Sequence, residues 1–304
     1  MSAHLSSDEL HFGWDNALAP RLTVEPGAEV ELELVEASGG QLGVASSASA
    51  LATLDGTRLN PVTGPIRVAG ARSGDALTIT FLGLEVDDWG WSGVLPGFGL
   101  LADEFPEPYL AISRITGGMV RLPFGVELPA VPMIGTIGVA LPEPGLHSVI
   151  PPRRHGGNLD IRHLTAGATL RLPVGVDGAL LSVGDAHAAM GDGEVCGTGI
   201  ETNARLRLRI ELEPGGAPAF PRYVTHPLSD RAGAALAATG VGPSLEAAAR
   251  DATRGLIDEV VVRTGLAPVE AYVLASVAAD LRISEIVDLP NYVVSLQLPL
   301  ALLG

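Results

Sequence analysis

Apolar and polar residues alternate with period two through much of the first two thirds of the chain. Residues 30–36 read Val-Glu-Leu-Glu-Leu-Val-Glu, after the turn Glu25-Pro-Gly-Ala28. Residues 77–86 alternate again, after Ser73-Gly-Asp-Ala76. In 206–212, Leu206, Leu208, Ile210 and Leu212 share one face, and Arg207, Arg209 and Glu211 the other. Such patterning predicts antiparallel strands with one solvated face, and the closely spaced turns predict a sandwich. The continuous apolar run 179–183 predicts a buried strand ending just before Asp185 and His187. The period changes after residue 243. Leu245, Ala248, Ala249, Ala252, Leu256, Ile257, Val260 and Val261 recur at helical spacing between Ser244, a predicted N-cap, and Gly265, a predicted C-terminal stop. A second helix is expected from Pro268 to about Asp280, then strands over 281–288 and 291–298. Segment 214–243, rich in proline, glycine and alanine, reads as a connection. The expected fold is mainly β: a sandwich over 1–213 carrying the functional site, with a smaller α+β part over 214–304 packing on it.

Composition narrows the function. The 304 residues are long enough for a sizeable core, and 38 glycines and 23 prolines suit many turns. A formal net charge of −16 argues against nucleic acid and anionic membranes as partners. All 19 basic residues are arginine, so no lysine can act as base or Schiff-base former. The one cysteine, Cys196, permits no intrachain disulfide, and the N-terminal residues have no basic-then-apolar leader pattern. A cytoplasmic protein is the expectation.

The chemistry concentrates in residues 179–202. Asp185 and His187 stand two apart at a strand end, where side chains at i and i+2 of an extended segment face the same way. Asp192, Glu194, Cys196 and Glu201 follow among glycines. A loop so rich in carboxylates repels itself unless something positive holds it, and a divalent metal is the simplest candidate. A second cluster, His155-Gly-Gly-Asn-Leu-Asp160, offers Asn158 and Asp160 at the same spacing, with backbone N–H groups at Gly156 and Gly157 able to approach a ligand. Plainer readings stand beside these: a turn with a capping Asp and an exposed His at 185–187, and a glycine turn with Asx hydrogen bonds at 155–160. Cys196 reads either as a small buried strand residue or as a nucleophile. The loop Asp87-Asp-Trp89-Gly-Trp91, with Pro96-Gly-Phe98-Gly99 nearby, could wall a small substrate pocket.

The stretch Gly184-Asp-Ala-His-Ala-Ala-Met-Gly-Asp-Gly-Glu-Val-Cys-Gly-Thr-Gly-Ile-Glu201 resembles the signature of the acetamidase/formamidase family. So do Trp14-Asp-Asn-Ala-Leu-Ala-Pro20, Leu22-Thr-Val-Glu-Pro-Gly27, Thr63-Gly-Pro-Ile66, Asp88-Trp-Gly-Trp91, Pro96-Gly-Phe-Gly99, Gly156-Gly-Asn-Leu-Asp160 and the segment 271–283. These motifs run in order along nearly the whole chain. The resemblance implies a jelly-roll-like β-sandwich with a smaller α+β part, a metal site near the Asp-x-His loop, homo-oligomers, and hydrolysis of short aliphatic amides to a carboxylate and ammonia. Met190 stands where that pattern has glutamine.

The reading of the residues is therefore a metal-dependent amidohydrolase. Asp160, Asp185, His187 and Glu201 are the expected ligands of a divalent ion, zinc first and calcium as the alternative. Such an ion brings the pKa of a bound water from about 15.7 to about 7. Glu194 and Asp192 are the expected proton carriers. Trp89, Trp91, Gly157 and Asn158 are the expected contacts of a small amide substrate. Two alternatives remain: a metal-stabilised binding module without turnover, and an amidase with Cys196 as nucleophile.

Overall fold

A computed structural model describes residues 3–226 and 233–303. Its main element is a nine-stranded sheet. In spatial order the strands are Ala3–Leu5, Ala28–Leu34, Ala204–Glu213, Ala76–Val86, Thr169–Pro173, Arg222–Val224, Ala235–Gly242, Tyr292–Pro299 and Asp280–Glu285. A six-stranded sheet faces it, running Gly156–Asn158, Met133–Gly138, Leu181–His187, Val62–Val68 and Leu10–His11, with Leu22–Val24 also pairing Val62–Val68. The two sheets close on one core. Leu32, Phe81, Leu206 and Leu208 from the first meet Ile66, Ile134, Ile137, Leu181 and Val183 from the second, all fully buried. A third sheet of four short strands spans Trp89–Val94 to Glu127–Pro129.

The period-two patterns explain the solvent face. Arg205, Arg207 and Arg209 lie directly opposite Glu33, Glu31 and Glu29 across the ladder. Arg209 Nη2 reaches Glu29 Oε1 at 2.6 Å. Opposite charges at facing positions stabilise antiparallel pairing, and they fix a register that also keeps Leu206, Leu208 and Ile210 inward. The acidic alternation in 30–36 and the basic one in 206–212 are thus two halves of one ladder.

The helix Leu245–Thr264 has the predicted ends. Ser244 Oγ accepts from the Ala247 N–H at 3.1 Å, and Gly265, at φ +74°, donates to the Val261 carbonyl at 2.9 Å. With Pro268–Ala278 it covers the outer face of the large sheet. There Leu236, Ala238, Val294 and Leu296 meet Ala248, Ala252, Leu256 and Val260. Gly240 lets the helix sit close, because a Cβ there would lie 1.9 Å from the Ala248 carbonyl oxygen.

Segment 214–243 differs from the expected connection. It contributes Arg222–Val224 and Ala235–Gly242 as inner strands of the large sheet. The second is buried on both faces, with Ala237 in the sandwich core and Leu236 and Ala238 under the helix. A strand covered on both sides shows no polar alternation, which is why its apolar run carried no strand signal. Hydrogen bonding therefore continues across residue 213, with Arg222–Val224 pairing Thr169–Pro173.

His155 sits below the six-stranded sheet, its ring edge-on to Trp14 at 4.9 Å, with both ring nitrogens buried and without hydrogen-bond partners. Burial, then the nearby Arg153 and His147, hold its pKa down to about 3. The unfolded chain takes a proton near pH 6.5 that the fold refuses, so this residue lowers stability as pH falls between those values. By pH 5 the cost is about 2 kcal/mol. The variant His155→Phe is expected to gain that much on the parent between pH 7 and pH 5 in chemical denaturation; a pH-independent difference would refute the assignment.

Candidate active site

The strand Leu181–His187 carries two polar residues into the sandwich. It continues through His187 rather than stopping at Val183, and Asp185 and His187 are both buried. They do not converge by simple extended alternation. Asp185 has φ +56°, and the ladder with Met133–Gly138 pairs Ile134 with Ala186 and Thr136 with Gly184, skipping Gly135 and Asp185. This break turns the Asp185 carboxylate so that Oδ1 lies 3.2 Å from His187 Nε2.

Asp160 arrives from the other direction. It follows the edge strand Gly156–Asn158, at φ +43°, with its N–H and that of Leu159 both directed at the Gly135 carbonyl, at 3.2 and 2.9 Å. Gly135 is the residue that lets the two acids share space. A Cβ there would lie 2.4 Å from Asp160 Oδ1 and 2.4 Å from Asp185 Oδ2.

The loop after the strand supplies the rest. Glu201 pairs through its backbone with Trp91, and its Oε2 lies 3.1 Å from His187 Nε2 while Oε1 accepts from the Gly199 N–H at 2.9 Å. Gly199 must be small, since a Cβ would lie 2.6 Å from His187 Nδ1. Glu194 sits at φ +47° with Oε1 3.8 Å from His187 Nε2. Asp160, His187 and Glu194, and likewise Asp185, His187 and Glu201, hold their donor atoms within 4.8 Å of one another. Two segments remote in sequence thus meet around one imidazole.

Burial dominates the electrostatics. Glu201 is pushed up to about 7 by loss of water; Asp160 is raised well above the usual carboxylate range by burial and then by Asp185's charge, and Glu194 by burial and then by Asp160's. For Asp185 burial pushes upward, but His187 together with the hydrogen bonds of Glu201 and Thr136 outweighs it and holds the group low. For His187 burial opposes the charge, but Glu201 and Asp185 outweigh it and raise the imidazole well above its usual value.

Two further acids, absent from the expected set, border the cluster. Asp288 accepts from the Asn158 side-chain amide, and Glu285 accepts from the backbone N–H of Val287 and Asp288. Burial raises both, Glu285 to about 7. Asn158 is thereby a linking residue. It joins Asp288 to Asn60 and Thr136, and Thr136 Oγ1 stands 3.4 Å from Asp185 Oδ2. The Gly193 N–H, donated to the Ser284 carbonyl at 2.9 Å, fastens the Glu194 turn to the same C-terminal strand. The sequence carried no signal for them, since Arg282 and Ser284 stand in the same segment and make the two acids look like ordinary polar strand positions.

A cavity of about 580 Å³ opens beside the cluster, and Glu194 is the member of the cluster that lines it. Several expected contacts fall elsewhere. Trp91 is buried in a separate apolar cluster with Leu42 and Leu51, Trp89 packs against that cluster, and Trp91 Nε1 donates to Glu36 at 2.6 Å. Neither tryptophan lines the cavity. The Gly156 N–H is committed to the Arg153 carbonyl, and Gly157 pairs opposite Ile137 in the sheet. Asp192 does line the cavity but pairs with Arg282 at 3.2 Å and Arg162 at 3.8 Å, outside the cluster. Cys196 is exposed in a turn on the cavity wall rather than buried in a strand. Its sulfur meets the Thr198 carbonyl and hydroxyl, not an imidazole.

A mainly β sandwich with a buried carboxylate–imidazole centre beside a cavity is an enzyme-like arrangement. The family model described as "Acetamidase/Formamidase family" matches residues 2–149 and 143–303, and the chain belongs to that family. Among solved structures, an acetamidase from Bacillus halodurans superposes with a TM-score of 0.90 at 33% identity, covering 99% of each chain. The chain is 27% identical to a formamidase of Methylophilus methylotrophus, over 96% of this chain and 88% of that protein. It is 28% identical to an acetamidase of Mycolicibacterium smegmatis, over 69% of this chain and 67% of that one.

Both carboxylate oxygens of Asp160 are buried and without a hydrogen-bond partner. A cation would supply what they need, and one imidazole among carboxylates is a donor set suited to a divalent ion. Without it Asp160 keeps its proton in the fold at a pH where the unfolded chain has lost it. Its contribution therefore destabilises the metal-free protein at neutral pH and fades towards pH 4. Metal-free Asp160→Asn is expected to melt above the metal-free parent at pH 7, with the gap closing on acidification. The same variant should lose the stabilisation that added metal gives the parent, about 2.7 kcal/mol at a hundredfold excess over Kd. A parent more stable than the variant in both states would contradict this.

Proposed function

We propose that this protein hydrolyses short aliphatic amides of the formamide and acetamide type to a carboxylate and ammonia, using a divalent cation, zinc before calcium, held by Asp160, Asp185, His187 and Glu201. The observation that carries this reading is the orphaned, fully buried Asp160 carboxylate facing the imidazole that Asp185 and Glu201 also reach. The nitrogen donor favours zinc, because calcium prefers an all-oxygen shell of six to eight ligands. When bound, such an ion supplies Lewis acidity, easing deprotonation of a water and polarising the amide carbonyl.

The chain's own residues do the remainder. Glu194 faces both the cluster and the cavity. Its raised pKa suits a group that takes a proton from the attacking water and returns it to the departing nitrogen. Water's oxygen bonds to the carbonyl carbon, the C–N bond breaks, and the nitrogen leaves as ammonia. Glu201 and Asp185 both meet Nε2 of His187, while Thr136, itself hydrogen-bonded to Asn158, stands against the second oxygen of Asp185. Asp192, neutralised by Arg162 and Arg282, keeps its charge out of the reacting volume.

Ammonia release from formamide and acetamide tests the reading, together with elemental analysis of protein purified without added metal. Zinc, turnover and loss of turnover with chelator are expected; calcium without turnover would replace this reading by a binding module. Glu194→Gln should lower kcat by about 10²–10⁴ while the metal content stays. Asp185→Ala combined with His187→Ala should remove both metal and turnover, and full activity in that double variant would end the proposal. Cys196→Ser should leave the rate unchanged.

A further inference from the structure

We infer that this chain carries a second ligand site, separate from the acid cluster, that binds a small organic carboxylate with a short apolar body. The site is a pocket of about 600 Å³ lined by residues from 141–147, 153–155, 173–175 and 218–219, and none of the clustered acids belongs to it. What it binds does not depend on whether those acids hydrolyse amides. Arg153 and Arg154 line the pocket with one acid, Glu143. Arg153 donates to the carbonyls of Ser148 and Pro151, at 2.9 and 3.0 Å. Arg154 donates to the Ala219 carbonyl at 3.1 Å, and its guanidinium lies 5.0 Å from the centre of the Phe220 ring. These partners are uncharged, and among the described residues neither arginine is ion-paired. Around Glu259, by contrast, Arg171, Arg222 and Arg263 all reach one carboxylate. Two guanidiniums against one carboxylate leave a positive charge over, in a chain of net charge −16. That surplus matches a singly charged ligand better than a phosphate dianion.

His155 is the second, independent observation. It lines the same pocket, is 4% exposed, and has no hydrogen-bond partner for either ring nitrogen among the described residues. Burial, with the charge of Arg153 next, keeps the ring unprotonated at neutral pH. A neutral imidazole still carries one N–H. Buried polar groups are nearly always paired, and a carboxylate oxygen held by the arginines would accept that N–H. His147, also in the lining, has Nε2 3.1 Å from the Glu143 carbonyl and is engaged within the wall. Much of the remaining lining is hydrocarbon: Leu141, Val174 and the rings of Pro142, Pro173 and Pro218, which offer no N–H. Such a wall gives a hydrated inorganic ion nothing, whereas it takes a short alkyl chain out of water.

Titration of the whole chain, labelled with 15N-histidine, with sodium butyrate tests this by NMR of the imidazole rings. The chain has seven histidines, and the His155 signal is the one missing from His155→Phe. Butyrate is expected to move that signal saturably, with a Kd of the order of millimolar. Inorganic phosphate, and n-butanol as the same chain without the charge, should each bind about tenfold more weakly or not at all. Arg154→Gln, at an exposed position where folding tolerates the change, should weaken butyrate about tenfold. A His155 signal that butyrate leaves in place overturns the inference, and so does butyrate that moves only the His187 signal, since it has then gone to the acid cluster. Butanol or phosphate binding as tightly as butyrate overturns the carboxylate assignment. An unchanged affinity in Arg154→Gln overturns the part given to the guanidinium surplus, and the inference with it.

Discussion

Like charges forced together out of water govern this molecule. Asp160, Asp185, Glu194, Glu201, Glu285 and Asp288 are all buried in the vicinity of one imidazole. A single His187 can balance one of them. The others either keep protons, as the raised values of Asp160, Glu194 and Asp288 indicate, or require a cation. The fold bears this cost, and the interest of the arrangement is that a divalent ion placed there would reverse its sign. Desolvated carboxylates that repel one another become a strong site once positive charge lies between them.

Holding such a cluster requires backbone that few sequences tolerate. Asp160, Asp185 and Glu194 all adopt left-handed conformations, at φ +43°, +56° and +47°. Each costs on the order of 1–3 kcal/mol and persists only where its surroundings over-determine it. They do so here. Asp185 lies in a central strand hydrogen-bonded on both sides, Asp160 is pinned by two N–H groups on the Gly135 carbonyl, and Glu194 lies in a turn fastened through Gly193 to Ser284. The sandwich core beneath, from Leu32 and Phe81 to Ile134 and Val183, supplies the rigidity.

How much of this was legible in the sequence follows from the same physics. Period-two alternation located Ala28–Leu34, Ala76–Val86 and Ala204–Glu213, because each has one wet face. Caps placed the long helix to the residue. The strand Ala235–Gly242 was invisible, being dry on both faces. At the site, Asp185 and His187 were legible as a pair of donors, and the Gly-Gly-Asn-Leu-Asp motif pointed to Asp160. What could not be read is three-dimensional choice. Two tryptophans in a glycine-rich loop look equally like a pocket wall and like core, and the Glu36 carboxylate decided for Trp91. Gly135 gave no signal at all, since its role appears only when two carboxylates approach the place its side chain would occupy. Glu285 and Asp288 lie far beyond the signature, which ends at Glu201, and enter through sheet topology alone.

The two ends of the site answer to opposite demands, and their separation accounts for the arginines. Asp192 is close in sequence to Glu194, yet it has two guanidinium neighbours, whereas among the described residues Glu194 has only the shared imidazole. Neutralising the outer acid keeps its field from adding to the burden of the buried ones. Leaving the inner acid without a guanidinium keeps its proton affinity high and its lone pairs free. An arginine at Glu194 would lower that affinity and compete with any cation for the carboxylates. Burial of His187 itself acts in the same direction, because it keeps away water that would weaken the interaction between the imidazole and its acids. The paired Asp192 and the guanidinium-free Glu194, both on the cavity wall, thus form one electrostatic arrangement.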